Sequence, residues 1–235
     1  MAGGGLRRTL GGLAAPNHPD SQGHGDEVTA VAFSLDGSTV ATAGWDKDLL
    51  LWDVATAKKS QAAAFVRSEE IWSVAFSPDG RLLAMGGGDH SVLLWDFGAW
   101  RSWRTLRGHT DRVRAVAFSR DGALLASASD DGRVMLWDAR TGRLRGTLAG
   151  HTRPVRSVAF SSDGSMLASA GWDNTVRLWD LPPLEPPART RLSVVTTPTD
   201  SAPVAEQDLC DGVLDLVDPG APEKRIAASF RYVGE

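Results

Sequence analysis

The chain has 235 residues, a net charge of −4 and a hydrophobic fraction of 42%, which supplies enough apolar side chains for a buried core. Its single cysteine excludes an internal disulfide framework and suits a reducing compartment. No stretch approaches the roughly 18 apolar residues of a membrane span, and the apolar stretch near the N-terminus is too short for a secretory signal. We therefore expect a cytoplasmic protein that does not cross a membrane.

The first segment, residues 1–25, is rich in Gly, Ala, Pro and His and shows neither a strand nor a helix period. We expect it to be flexible. A regular array of repeats follows over residues 26–180.

A Trp-Asp dipeptide closes each of four repeated units, at steps of 43, 42 and 42 residues: Trp52-Asp53, Trp95-Asp96, Trp137-Asp138 and Trp179-Asp180. An Asp-Gly pair precedes each dipeptide at the same steps: Asp36-Gly37, Asp79-Gly80, Asp121-Gly122 and Asp163-Gly164. A period of about 40–45 residues with this punctuation is typical of a propeller array.

Each unit begins with the pattern apolar-x-x-Val-Ala-Phe-Ser: Val28–Ser34, Ile71–Ser77, Val113–Ser119 and Val155–Ser161. The Asp-Gly pair that follows is a strong hairpin signal between two apolar runs. A third strand ends in Trp-Asp and a fourth strand follows it, so the pattern of each unit predicts a four-stranded blade. In the first three strands apolar residues occupy both odd and even positions, which indicates sheets covered on both faces.

The repeat stops after Asp180. Residues 181–235 are Pro-rich and acidic and contain neither a Trp-Asp nor an Asp-Gly pair in register. We expect this tail to be disordered or a degenerate blade. Its candidate short strands are Arg191–Thr197, Gly212–Val217 and Arg225–Val233.

Residues 26–180 resemble WD-repeat β-propellers through these joint motifs and through Gly-His dipeptides that open three of the four units: Gly23-His24, Gly108-His109 and Gly150-His151. The resemblance implies an all-β fold of four four-stranded blades. These blades form either a partial, open ring or half of a dimeric ring, with an irregular C-terminal tail.

The resemblance also implies that a His, a Ser or Thr, an Asp and the Trp form a hydrogen-bonded set that locks each blade. The sets are His24, Thr42, Asp46 and Trp52; His109, Ser127, Asp131 and Trp137; His151, Ser169, Asp173 and Trp179. In the second unit Arg67 and Met85 replace the His and the Ser, which leaves Asp89 and Trp95. We expect this blade to be the least rigid.

Ser, His and Asp thus come together three times, as in a hydrolase triad, but three copies in one chain favour a structural role. The inner strands carry no Asp, Glu, His or Cys that would assemble a metal site or an acid pair. The sequence therefore predicts no catalytic residue, no metal and no cofactor.

WD-repeat proteins commonly bind partners on the face formed by the loops that enter the inner strands and by the turns before the structural Asp. In this sequence Trp and Arg, the residues most enriched in interface hot spots, concentrate there: Trp45, Trp72, Arg112, Arg114, Arg156 and Trp172. A competing interpretation is that Trp45 and Trp172 only pack over the blades.

The resemblance implies a non-enzymatic scaffold that binds a protein or peptide partner. Alternatives are the sensor or regulatory portion of a signalling protein whose kinase or nucleotide-hydrolysing part lies elsewhere, and a propeller hydrolase. Nucleic acid is the partner class that we expect least, although the net charge of −4 by itself argues neither for nor against it. Four blades do not close the roughly seven-bladed ring usual in this family, so three hypotheses stay open: a homodimer that completes a ring, a fragment of a longer protein, and an unstable relic.

Overall fold

A computed structural model describes residues 9–10, 23–63, 67–181, 210–218 and 221–232. Every regular element in these ranges is a β-strand. The chain divides into two units, Met1–Leu184 and Glu185–Glu235. Within the described residues, no helix is long and apolar enough to cross a membrane.

The first unit contains four antiparallel sheets, which we call blades 1 to 4, each with its strands in sequence order. Blade 1 contains β1 Val28–Phe33, β2 Thr39–Gly44, β3 Leu49–Asp53 and β4 Lys59–Ala63; blade 2 contains β5 Ile71–Phe76, β6 Leu82–Gly87, β7 Ser91–Asp96 and β8 Arg101–Arg107. Blade 3 contains β9 Val113–Phe118, β10 Leu124–Ser129, β11 Arg133–Asp138 and β12 Leu144–Ala149; blade 4 contains β13 Val155–Phe160, β14 Met166–Gly171 and β15 Val176–Asp180.

The fourth blade differs from the expected four-stranded blade, because its described residues form three strands. In the other blades the outer strand begins five or six residues after the Trp-Asp dipeptide. The equivalent segment of blade 4 belongs to residues 182–209, which lie outside the described residues.

The Asp-Gly pairs form the turn between the first two strands of each blade. In blade 3 the carboxylate of Asp121 accepts hydrogen bonds from the hydroxyl of Ser119, at 2.6 Å, and from the backbone N–H of Ala123, at 3.0 Å. Gly122 follows with a φ of 70°, a left-handed conformation that costs little for glycine. The same pair of residue types therefore sets the hairpin register in all four blades.

Neighbouring blades pack face to face through three apolar clusters, one for each junction. The face toward the preceding blade carries large side chains, exemplified by Val113, Val116 and Leu125 in blade 3. We call it the upstream face. The face toward the following blade, the downstream face, carries Ala on its inner two strands, exemplified by Ala126 and Ala128. Large side chains of each blade thus pack against Ala side chains of the preceding blade. Because Ala is small, adjacent sheets approach closely.

Each of the two end blades has one face without a neighbouring blade among the described residues of the first unit. Val31 and Phe33 of blade 1 are 64% and 62% exposed, and Val176 and Leu178 of blade 4 are 71% and 70% exposed. The expectation of an open array of WD-repeat blades is thereby confirmed.

The second unit contains one antiparallel hairpin of β16 Cys210–Asp218 and β17 Ala221–Tyr232. Two of the candidate strands of the tail, Gly212–Val217 and Arg225–Val233, coincide with these strands as far as they are described. The third, Arg191–Thr197, lies outside the described residues.

Candidate functional site

Blade 3 contains a buried hydrogen-bond relay that runs from an indole to a carboxylate. The Trp137 Nε1–H donates to Ser127 Oγ at 2.8 Å, and Ser127 Oγ lies 2.8 Å from His109 Nε2. His109 Nδ1 lies 2.8 Å from the carboxylate of Asp131. Because an ionised carboxylate only accepts, Nδ1 carries the proton and donates it, and Nε2 accepts from the serine hydroxyl. One neutral tautomer therefore satisfies all four side chains.

Blades 1 and 4 repeat this relay with bonds of 2.7–2.8 Å, in the sets His24, Thr42, Asp46 and Trp52, and His151, Ser169, Asp173 and Trp179. A backbone N–H from the residue after each His also donates to the Asp. Burial by itself raises the pKa of Asp131, but the bond and charge of His109, together with the backbone N–H groups of Thr110 and Arg133, hold that pKa below its ordinary value. The carboxylate stays ionised and anchors the loop before each inner strand.

The three Ser/Thr-His-Asp sets lack the geometry of a hydrolase triad. Ser127 is fully buried, and its oxygen already accepts the indole N–H of Trp137. A nucleophile needs an exposed oxygen beside an oxyanion hole. The relay is therefore a structural device that joins the entry loop to the second and third strands of its blade.

Blade 2 holds the same loop with different chemistry. The Arg67 guanidinium, whose side chain is 1% exposed, forms an ion pair with Asp89. It also donates to the carbonyl of Met85 at 3.1 Å and to the carbonyl and hydroxyl of Ser91 at 2.9 and 2.8 Å. Burial lowers the pKa of Arg67, and the charge of Asp89 opposes that shift. Arg67 stands at the histidine position, as the motif comparison placed it, but that comparison did not predict its ion pair with Asp89.

The Trp95 indole has lost its hydroxyl acceptor because Met85 stands where the other blades have Ser or Thr. Its buried Nε1 has no hydrogen-bond partner within the described residues. The ring is instead held by an edge-to-face contact with Trp100, with centroids 5.5 Å apart. Whether blade 2 is the least rigid of the four stays a prediction.

The Trp and Arg side chains singled out in the sequence lie at one edge of the blades. This edge is common to them because antiparallel pairing brings the start of each inner strand beside the end of the second strand. The side chains are Trp45 after β2, Trp72 in β5, Arg114 in β9, Arg156 in β13 and Trp172 after β14. With Asp130, they form what we call the Trp-Arg face.

Two arginines of this face stack on indoles and share one carboxylate. The Arg114 guanidinium carbon lies 3.9 Å from the ring centroid of Trp72, and that of Arg156 lies 3.6 Å from the ring of Trp172. Asp130 accepts from Arg114 at 2.7 and 2.8 Å and forms a longer ion pair with Arg156, at 3.3 Å. The side chains therefore form a continuous row across blades 2, 3 and 4.

The row continues into blade 1 through Trp45, whose ring meets the edge of the Trp72 ring with centroids 5.7 Å apart. Trp45 and Trp172 are 38% and 52% exposed, so neither is covered by the blade beneath it. Arg112 is placed differently: its carbonyl accepts the N–H of Asp130 at 3.0 Å, while its side chain is exposed.

Asp130 lies at a position that the sequence assigns to this face, but it was not among the residues selected there for partner binding. It stands directly before the structural Asp131, and that position was its signal, but only the fold shows that one carboxylate joins two arginines. Burial and the charge of Arg114 lower the pKa of Arg156, while Asp130 opposes the shift. Two guanidinium groups and one carboxylate leave this row with one net positive charge.

The described residues contain no group of three or more His, Cys, Asp or Glu side chains with the arrangement of a metal site. The Trp-Arg face places flat apolar rings and guanidinium donors at one edge of the blades.

Comparison with known proteins agrees with the architecture. The family described as "WD domain, G-beta repeat" matches residues 18–53, 63–96, 100–138 and 142–180. The crystal structure of RRP9 WD40 repeats is similar, with a TM-score of 0.64 and 28% sequence identity over 68% of this chain and 49% of that chain. The present chain thus spans about half the length of that protein chain. A comparison with curated proteins gives no match.

Repeats of this family generally form protein–protein interaction scaffolds and are typically without enzymatic activity. The family match covers all four blades, and the matched ranges end at the four Trp-Asp dipeptides or one residue beside them. The chain belongs to the WD40 repeat family.

Proposed function

We propose that this chain is a non-enzymatic scaffold that binds a segment of a protein partner on its Trp-Arg face. The observation that carries the proposal is the row of stacked Trp and Arg side chains across adjacent blades, ending in the half-exposed ring of Trp172. Exposed indoles and fixed guanidinium groups are the side chains that contribute most to protein interfaces.

The row is organised before a partner arrives. Arg114 is held by Asp130 and by the ring of Trp72, so its donors already point in fixed directions. Binding to ordered side chains costs less conformational entropy than binding to mobile ones, by about 0.5–1.5 kcal/mol for each side chain. A short peptide therefore has a preformed surface on which to lie.

Arg156 gives the face its selectivity for acceptor groups. Its ion pair with Asp130 is longer than that of Arg114, and its side chain is 27% exposed, so part of its guanidinium is open to a partner. A guanidinium with free donors favours carboxylate or carbonyl oxygens. The partner segment that fits is an extended peptide with an acidic residue beside an apolar one that packs on Trp172.

A peptide selection tests this proposal with a matched control. Peptides that bind the chain are selected from a random display library, and their affinities are measured for the variants Trp172→Ala, Arg156→Ala and Trp103→Ala. Trp103 is the control because it is also an exposed Trp, at 37%, beside an Arg, with Arg104 at 5.3 Å, but lies on the outer strand β8.

We expect the selected peptides to be acidic and to lose at least about tenfold in affinity, or roughly 1.4 kcal/mol, with Trp172→Ala and with Arg156→Ala. Trp103→Ala is expected to bind as the unaltered chain does. Peptides that bind all three variants equally would place the contact elsewhere and refute the proposal.

A further inference from the structure

The two end blades carry free apolar faces of opposite kinds. Blade 1 exposes an upstream face and blade 4 exposes a downstream face. From these faces we infer that two copies of this chain associate head to tail, with blade 1 of each copy packed on blade 4 of the other. This inference is independent of the proposed function, because it uses the ends of the array rather than the Trp-Arg face.

The free face of blade 1 carries the same kinds of residue as the upstream face that is buried in blade 3. Val28, Val31 and Phe33 stand in β1 where blade 3 has Val113, Val116 and Phe118 in β9. The two valines of blade 3 are 0% and 7% exposed, whereas those of blade 1 are 55% and 64% exposed. The difference in burial comes from the missing neighbour and not from the side chains.

The free face of blade 4 matches the buried downstream faces in the same way. Val176 and Leu178 of β15 occupy the positions of Val134 and Leu136 in β11. The former pair is 71% and 70% exposed, and the latter pair is 0% and 7% exposed. In the adjacent strand β14, Ala168 and Ala170 correspond to the small side chains against which large side chains pack at the three internal junctions.

A hydrogen bond at one internal junction adds a polar match. The Ser73 hydroxyl of blade 2 accepts the backbone N–H of Val116 in blade 3, at 3.1 Å. Ser157 occupies in β13 the position of Ser73, and Val31 occupies in β1 the position of Val116. Ser157 and Val31 are both exposed in the single chain, so the same bond forms when blade 4 of one copy meets blade 1 of the other.

Part of the upstream face of blade 1 is covered by Leu10, which packs on Val40, Leu50 and Trp52. Val40 stands at the position of Leu125, which belongs to the junction between blades 2 and 3. The inner strand β1 stays exposed, and inner strands make the junctions between successive blades. The second copy therefore packs on β1 and meets Leu10 beside it.

Two copies joined in this way use both free faces of each chain. A head-to-tail contact closes into a ring or continues as a filament, according to the rotation between copies. Propellers close with 4–8 blades, and two copies supply eight. The closed dimer leaves neither apolar end in water, where contiguous apolar patches above a few hundred Å² are rare.

The mass of the full chain in solution tests the inference, measured by light scattering coupled to size-exclusion chromatography. We expect twice the 25.0 kDa of one chain. Phe33→Asp and Leu178→Asp each place a charge on one free face, and each is expected to give the monomer mass. Leu144→Asp is the matched control, since Leu144 is 48% exposed but lies on the outer strand β12, and it keeps the dimer mass.

Mixing the two disruptive variants distinguishes head-to-tail contacts from symmetric ones. The Phe33→Asp chain keeps an intact blade 4 face, and the Leu178→Asp chain keeps an intact blade 1 face. Their mixture therefore regains a dimer through one undamaged contact, and adding Ser157→Ala to the Phe33→Asp chain weakens that dimer roughly fivefold.

Near-UV circular dichroism establishes that each variant is folded, which is expected because the altered side chains are largely exposed. A monomer mass for the unaltered chain would overturn the inference. A dimer that persists in either folded disruptive variant, or a mixture that stays monomeric, would overturn it too.

Discussion

Blade 2 and blade 3 are adjacent, share the same strand order and differ in how the loop before the inner strand is held. In blade 3 a hydrogen-bonded relay joins Trp137, Ser127, His109 and Asp131. In blade 2 the buried guanidinium of Arg67 binds the carboxylate in place of the histidine, and Met85 replaces the serine. The blade geometry is therefore compatible with two different polar solutions.

The difference shows which part of the relay the blade requires. Both blades keep the carboxylate, Asp89 or Asp131, and both bring a donor to it from the loop. The hydroxyl that satisfies the indole is dispensable, since the Trp95 Nε1 stays without a partner within the described residues. The link between loop and carboxylate is the shared element, and the link to the indole is an addition.

The largest effect is expected when blade 2 loses its arginine. Arg67→Ala leaves the charge of Asp89 unpaired and removes the donors that reach Met85 and Ser91. Breaking a buried ion pair on one side costs roughly 3–5 kcal/mol, and the value here lies near 3 kcal/mol because the Asp89 side chain is 25% exposed. Chemical denaturation measures this loss as a drop in the free energy of unfolding.

The exposed Arg81 of the same blade supplies the control, and Arg81→Ala is expected to change that free energy by less than about 0.5 kcal/mol. A second arm installs the chemistry of blade 3. Arg67→His combined with Met85→Ser is expected to be more stable than Arg67→His alone, since the new hydroxyl serves both the imidazole and Trp95. If Arg67→Ala were no worse than Arg81→Ala, the ion pair would not hold this blade.

Blade 3 is expected to respond next most strongly, through its serine. Ser127→Ala leaves the Trp137 Nε1 and the His109 Nε2 without their shared partner at a fully buried position. An unsatisfied buried polar group costs about 1–3 kcal/mol, so a total loss of roughly 2 kcal/mol in the free energy of unfolding is expected.

The comparison variant is Ser169→Ala in blade 4, where Trp179 is only partly buried and water can replace the hydroxyl. We expect about half the loss there. Equal losses in the two blades would mean that burial of the indole does not set the cost of the missing acceptor.

The repeated motifs were sufficient to predict the strands and their order from the sequence. The Asp-Gly turns and the Trp-Asp dipeptides fixed the first three strands of every blade, because each turn type allows only one hairpin register. The outer strands were less certain, and blade 4 has three strands in its described residues. Their charged, irregular sequences carry little period, so pattern alone does not locate them.

The site was predictable by position but not by contact. Trp72, Arg114, Arg156 and Trp172 could be assigned to one edge, since motif positions transfer from blade to blade. The stacking of Arg114 on Trp72 and the ion pair of Asp130 with Arg156 could not be assigned, because both depend on side chains that meet across blade junctions. Arg67 was placed at the histidine position, but its bonds to Asp89 and Ser91 were not predicted for a related reason, since these residues meet it only after the strands pair.

The smallest effect is expected where blades 2 and 3 are alike, at the Asp-Gly turns. A bond from the hydroxyl of Ser77 lowers the pKa of Asp79, and Ser119 lowers that of Asp121 in the same way. The matching turns of blades 1 and 4 hold the pKa of Asp36 and Asp163 at about 2, below the ordinary value of 3.8. A lowered folded-state pKa contributes stability above pH 3.8 that is lost as the pH falls toward 2.

Asp79→Asn and Asp121→Asn keep the acceptor oxygen and remove the charge, so each is expected to cost the same small amount at pH 7, less than about 1 kcal/mol at these exposed positions. Both losses should be smaller at pH 3 than at pH 7, because the contribution of each lowered pKa declines once the pH falls below 3.8. Denaturant titrations at pH 7 and pH 3 measure this. Unequal costs in the two blades would show that their difference extends beyond the relay to the hairpin turn.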